Sequence, residues 1–77
     1  MNIQTVYERI GPLFAPHRLE PVGEEEGVFL FNLSFTVGTT VDKWAVVMPT
    51  GICVRQVVVL GRDFSFLIAV NSKFYNQ

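Results

Sequence analysis

The sequence predicts an α+β fold in which one N-terminal amphipathic helix packs on an antiparallel meander of four to five strands. Apolar residues recur at helical spacing in residues 3–14, and they recur with a period of two from residue 28 onward. Short turns containing glycine or proline separate the later apolar runs, which is typical of antiparallel strands that follow one another along the chain. The chain is short enough to form a single domain, residues 1–77.

The first predicted element is a helix that ends near Ile10. Asn2 is placed to cap its first turn, because an asparagine side chain can accept hydrogen bonds from the first free backbone N–H groups. Gly11-Pro12 is expected to turn or kink the chain, since proline disfavours helical geometry at the residue before it. The apolar stripe of this helix has the spacing i, i+3, i+4, i+7 and consists of Ile3, Val6, Tyr7 and Ile10.

Strands are predicted over the rest of the chain, at 18–22, 27–38, 43–48, 52–60 and 64–71. Pro21 confines the first strand to an edge of the sheet, because proline has no N–H to donate to a neighbouring strand. Turns are predicted at 23–27, 49–51 and 61–63. The first of these turns is expected to be an acidic loop, either solvated or recognising a basic partner, and its carboxylates are Glu24, Glu25 and Glu26.

Alternation along the strands predicts two faces of different character. The expected core face holds most of the aromatic side chains: Phe29, Phe31, Leu33, Phe35, Trp44, Val46, Met48, Phe64, Phe66 and Ile68. A helix of about ten residues spans about 15 Å and covers about three strands at most, so the sheet is expected to be only partly covered.

The opposite face is expected to be an interaction surface, because a sheet face in contact with water alone should alternate into polar residues. Its aliphatic residues are Val28, Leu30, Ala45, Val47, Leu67 and Ala69. The register of the strand at 52–60 is open, so that either Val57 and Val59 or Val58 and Leu60 share this face. The alternative architecture is a small curled β-barrel with a helix, in which the chain covers both faces itself.

Composition excludes several classes of function. Hydrophobic residues make up 49% of the chain and charged residues 17%, against about 25% in an average soluble domain, which excludes intrinsic disorder. The formal net charge is −1 and the basic residues are scattered, so no nucleic-acid partner is expected. The longest charge-free run, 27–41, is too short and too polar for a membrane helix, and no membrane association is expected. The lone Cys53 fits a reducing compartment, and a cytoplasmic location is expected.

The residues that could carry chemistry are few. His17 is the only histidine and Cys53 the only cysteine, and neither lies in a metal-binding or nucleophile motif. No cofactor, metal site or catalytic residue is therefore predicted, and the protein is not expected to be an enzyme. A surface histidine and a strand cysteine are the expected roles of these two residues.

The predicted function is that of a small non-enzymatic interaction module that docks a sheet face or a sheet edge onto a protein partner. This class includes adaptors, small chaperones and the compact inhibitors used by phages and bacteria. The alternative is a structural homo-oligomer, such as a homodimer, that buries its aliphatic face against a second copy. A third interpretation, a small-ligand binder or enzyme, requires a pocket between helix and sheet with polar groups that the sequence does not supply.

Overall fold

A computed structural model describes residues 2–35, 48–61 and 63–71. It contains one α-helix, α1, a short 3-10 helix at Gly11–Phe14, and four strands. All pairings in the sheet are antiparallel, the strand order is β1-β2-β4-β3, and the described strands do not close into a barrel. The predicted α+β class is confirmed, and the elements are α1 Ile3–Ile10, β1 Arg18–Glu25, β2 Val28–Ser34, β3 Ile52–Leu60 and β4 Asp63–Val70.

Helix α1 begins and ends where the sequence predicts. Asn2 Oδ1 accepts hydrogen bonds from the Thr5 backbone N–H at 2.9 Å and from the Thr5 hydroxyl at 3.0 Å. The regular helix stops at Ile10, and a 3-10 turn follows at Gly11–Phe14. Gly11 itself keeps helical angles, φ −50° and ψ −48°, and its N–H donates to the Tyr7 carbonyl, although proline disfavours these angles at the residue before it. Val6 and Ile10 are fully buried, while Ile3 and Tyr7 pack at the margin of the core.

The sheet consists of two hairpins joined side by side through β2 and β4. The first hairpin, β1–β2, turns at Glu26-Gly27, where both residues have positive φ angles of 52° and 78°. These values fit a type I′ turn, whose twist matches that of the flanking strands. The second hairpin, β3–β4, turns after Leu60 at Gly61, with a φ of 62°.

The first turn is shorter than the acidic loop predicted at 23–27. Glu24 and Glu25 lie in β1, opposite Phe29 and Val28, and only Glu26 lies in the turn. The type I′ geometry explains the difference, because a two-residue connection lets pairing continue up to Glu25. The prediction of a three-carboxylate loop is therefore wrong.

Other strand predictions agree with the structure within the described ranges. β1 is an edge strand, as Pro21 requires, and its register shifts between Pro21 and Gly23. The predicted turn at 49–51 is present, with the Ile52 N–H donating to the Pro49 carbonyl at 3.1 Å. The predicted strand at 43–48 and the end of the one at 27–38 lie outside the described residues, apart from Met48, which precedes the turn.

The core lies between α1 and one face of the sheet, called here the helix face. The expected aromatic face is confirmed for its described members, whereas Trp44 and Val46 lie outside the described residues. Tyr7 of the helix stacks on Phe31 with ring centroids 6.5 Å apart. The buried cluster consists of Val6, Ile10, Phe14, Leu19, Phe29, Phe31, Leu33, Phe35, Ile52, Phe66, Ile68 and Val70.

Candidate interaction edge

Strand β3 is the most exposed apolar element in the described part of the chain. Only its first residue, Ile52, is buried, and every residue from Cys53 to Leu60 is exposed. Val59 is 60% exposed and Leu60 73%. The large apolar side chains that β3 leaves exposed are Val54, Val57, Val58, Val59 and Leu60.

Both faces of β3 contribute to this exposure. The register places Val57 opposite Phe66 and Val59 opposite Phe64, on the helix face. Val58 pairs with Ser65 and projects to the other face of the sheet. The sequence left open whether Val57 and Val59 or Val58 and Leu60 share the second face, opposite the helix. Both pairs are exposed, so the strand presents apolar side chains on each face of the sheet.

The position of α1 explains why β3 is uncovered. The helix has eight residues and a length of about 12 Å. Its closest strand is β1, at one edge of the sheet, whereas β3 lies at the other edge. Three strand spacings separate the two edges by about 14 Å, which a helix of this length does not cover.

Among the described strands, the outer backbone edge of β3 is also unpaired. On its inner side β3 pairs with β4 from Ile52 to Leu60, and no other described strand pairs with it. An unpaired edge presents a row of N–H and C=O groups that can accept another strand. The open backbone and the apolar side chains therefore coincide on one element.

The predicted interaction surface on the second face, the face opposite the helix, is less accessible than expected. Leu30 is only 8% exposed and Ala69 only 4%, so the expectation that they form a free surface is wrong for these two residues. They are Cα partners on β2 and β4, the two inner strands, where neighbouring strands flank them on both sides. Val28 and Leu67 are half-buried, and Ala45 and Val47 lie outside the described residues.

An ion pair links the two edge strands. Arg55 Nη1 of β3 lies 3.6 Å from Glu25 Oε2 of β1, and both side chains remain about half-exposed. Glu25 shares the parity of the second face through its pairing with Val28, and Arg55 stands at the register shift between Val54 and Gln56. At this exposure the pair contributes less than about 1 kcal/mol to the free energy of unfolding. Its main effect is that Arg55, the one charged residue of β3, is engaged within the chain.

An open groove adjoins the far end of β3. It has a volume of about 350 Å³ and lies where the β3–β4 hairpin meets the end of β2. Phe35 stacks on Phe64 there, with ring centroids 4.4 Å apart. The groove is of a size that accepts a large side chain or a small ligand, and its lining residues are Ser34, Phe35, Val58, Leu60, Asp63, Phe64 and Ser65. This position differs from the pocket between helix and sheet that a ligand binder was expected to need.

The structure does not bring His17 and Cys53 together. His17 precedes β1, at one edge of the sheet, and its ring packs on Phe35 at a centroid distance of 4.6 Å. Cys53 lies exposed on β3, at the opposite edge, with β2 and β4 between the two residues. In residues 2–35, 48–61 and 63–71, no three histidine, cysteine or acidic side chains are grouped so that they could hold a metal ion.

Sequence reasoning placed one pair of β3 residues, Val57 and Val59 or Val58 and Leu60, on the expected interaction face, but it did not identify β3 as the exposed edge. A run such as ICVRQVVVL is typical of a strand buried on both faces as much as of an exposed one. Its single charge in nine residues was the available signal, because edges that must stay unpaired usually carry several charges. The strand order, which places β3 at an edge, cannot be read from local pattern.

Comparison of the chain with protein-family models, with curated proteins and with solved structures finds no match in any of the three. Among the described residues there is also no helix with the length and apolar character needed to cross a membrane. The geometry of β3 and its surroundings is therefore the basis for a functional assignment.

Proposed function

We propose that this chain is a small non-enzymatic protein-binding module whose docking element is the exposed edge strand β3. The observation that carries the proposal is the coincidence on β3 of an open backbone edge with exposed apolar side chains on both faces. Large exposed apolar patches mark interaction sites on soluble proteins, because leaving them in water is unfavourable. The partner is a protein, since a strand edge supplies the backbone hydrogen bonds that another polypeptide can satisfy.

The mode of binding is strand addition. An added strand hydrogen-bonds to the free edge, while its alternate side chains pack beside the exposed valines of β3. The groove at the end of the β3–β4 hairpin offers a place for one larger apolar side chain of the partner. Adaptors, small chaperones and compact inhibitors of phage or bacterial type all work through pre-formed surfaces of this kind.

The second face has a secondary role in this proposal. Val28 and Leu67 keep partial exposure, but Leu30 and Ala69 are already covered, so this face has little apolar area left for a partner to bury. A cytoplasmic location belongs to the proposal as well. The lone, exposed Cys53 has no other cysteine in the chain to pair with, and it would stay reduced there.

The experiment compares two valine-to-lysine variants that differ in the edge they alter. Val59→Lys places a charge on β3, whereas Val22→Lys places one on β1 at a valine of similar exposure, 55%. We expect both variants to keep the native circular dichroism spectrum, because both side chains are solvent-accessible. Association, measured by sedimentation and by capture of partners from the source cells, is expected to be lost in Val59→Lys and kept in Val22→Lys. Equal association of the two variants would contradict β3 as the docking element.

A further inference from the structure

We propose that the partner of β3 is a second copy of this chain, paired antiparallel with it through residues 56–60 about a two-fold axis at Val58. This inference rests on the proposed function, because it names the occupant of the same edge. It joins the two four-stranded sheets into one continuous sheet of eight strands. The reasons are the direction of the backbone groups, the register that they select, and the absence of charge along this segment.

The backbone hydrogen bonds of β4 show which groups of β3 point outward. The Phe35 N–H donates to the Phe64 carbonyl at 3.3 Å, so the backbone groups of Phe64 point toward β2 and away from β3. Val59 is the Cα partner of Phe64, and the two are therefore a non-hydrogen-bonded pair. The N–H and C=O groups of Val59 consequently point to the free edge, and by alternation so do those of Val57.

A two-fold axis at Val58 brings these outward groups together. It places Val57 opposite Val59 of the second copy, and Val59 opposite Val57 of the second copy. Each of these is a hydrogen-bonded pair, so the register makes four backbone hydrogen bonds. It also uses only the regular part of β3 beyond the irregularity between Val54 and Gln56.

Side chains match in the same register. The valines that meet, Val57 and Val59, lie on the helix face in both copies, where they extend an existing apolar surface. Residues 56–60, QVVVL, carry no charge, so the pairing sets no like charges opposite each other. A charged peptide finds no complementary charge on this segment, whereas the segment itself is a fully compatible partner.

Disulfide cross-linking tests the axis directly. In a Cys53→Ser background, Val58→Cys leaves one thiol in each chain, and the register places the two Val58 positions as a non-hydrogen-bonded pair with Cα atoms about 4.5 Å apart. That distance is compatible with a disulfide. Leu60→Cys in the same background is the matched control. Its two copies would stand about 13 Å apart along the strands although Leu60 is the more exposed residue.

In a glutathione redox buffer we expect Val58→Cys to form a covalent dimer at least about tenfold faster than Leu60→Cys, because the pairing raises the effective thiol concentration. Native protein should sediment as a dimer and Val59→Lys as a monomer. Equal cross-linking of the two cysteine variants, or a monomeric native protein, would overturn the second-copy inference.

The failure of this inference is distinguishable from failure of the proposed function. If the native chain is monomeric but Val59→Lys still loses a heterologous protein that Val22→Lys retains, the partner is not a second copy and β3 remains the docking element. If Val59→Lys changes neither sedimentation nor capture, the docking role of β3 fails together with the inference that depends on it.

Discussion

The two edge strands of the sheet differ in how well they are protected against pairing with another chain. Edge strand β1 is protected: its sequence RLEPVGEE contains four charged residues and a proline, and α1 packs close to it. Arg18 and Glu20 form an exposed ion pair along it, with Nη2 and Oε1 2.6 Å apart. Edge strand β3 has one charge in nine residues, and it lies at the edge away from α1, the one α-helix among the described residues.

Charge and proline on an edge strand oppose pairing with other chains, because an added strand would desolvate the charges and meet a missing N–H. Among the described strands, β1 thus carries the features that oppose the addition of another strand, and β3 does not. If two copies pair through β3 as proposed, one further sheet is added and neither copy then offers a second edge of this kind. The proposed pairing would therefore stop at two copies, whereas two edges like β3 would permit a fibre.

The largest effect is expected where a charge enters the region between the two edges. Phe31→Lys should unfold the chain, because Phe31 is fully buried under α1 and an unpaired buried charge costs several kcal/mol. Small domains have a total stability of about 5–15 kcal/mol, so a loss of this size removes most of it. Circular dichroism against temperature measures the effect. A folded Phe31→Lys protein would mean that the centre of the sheet is no better packed than β3.

A smaller loss of stability is expected for a substitution in α1, the helix that packs close to β1. Ile10→Ala should lower the free energy of unfolding by about 2–4 kcal/mol, because the fully buried side chain leaves a cavity between helix and sheet. Leu13→Ala is the control, since Leu13 follows the helix but is 53% exposed, and its loss should stay within about 0.5 kcal/mol. Urea unfolding of both variants decides the matter, and similar losses would show that α1 does not cover the sheet as described.

The smallest effect is expected at the turn that begins β2. Glu26→Asn should raise the free energy of unfolding by about 1 kcal/mol, because asparagine tolerates the positive φ of 52° better than glutamate does. Glu24→Asn, two residues earlier in β1, should give no gain, since asparagine is unfavourable in strands. Urea unfolding is again the measurement, and a gain in both variants would attribute the effect to lost negative charge instead of turn geometry.

Much of the architecture followed from the sequence because its local signals agree with its long-range packing. The Ile3 to Ile10 stripe, the cap at Asn2 and the alternating aromatics of β2 each specify one structure by periodicity. The predictions that failed depend on neighbours. Leu30 and Ala69 are buried and lie opposite each other on the two inner strands, a position that depends on strand order and not on local pattern. The place of β3 at an edge also depends on strand order, which is why this mainly apolar strand was not recognised as a candidate edge.

The arrangement of the sheet as two hairpins also bears on how the chain folds. Within each hairpin the paired residues are close in sequence, so little chain entropy is lost when they meet, and isolated hairpins form within microseconds. The β2–β4 pairing is different, since partners such as Phe31 and Ile68 are far apart in the chain and must close a long loop. We therefore expect the joining of the two hairpins through β2 and β4 to set the folding rate. Substitutions that weaken the β2–β4 pairing should slow folding more than equally destabilising substitutions in β1 or β3.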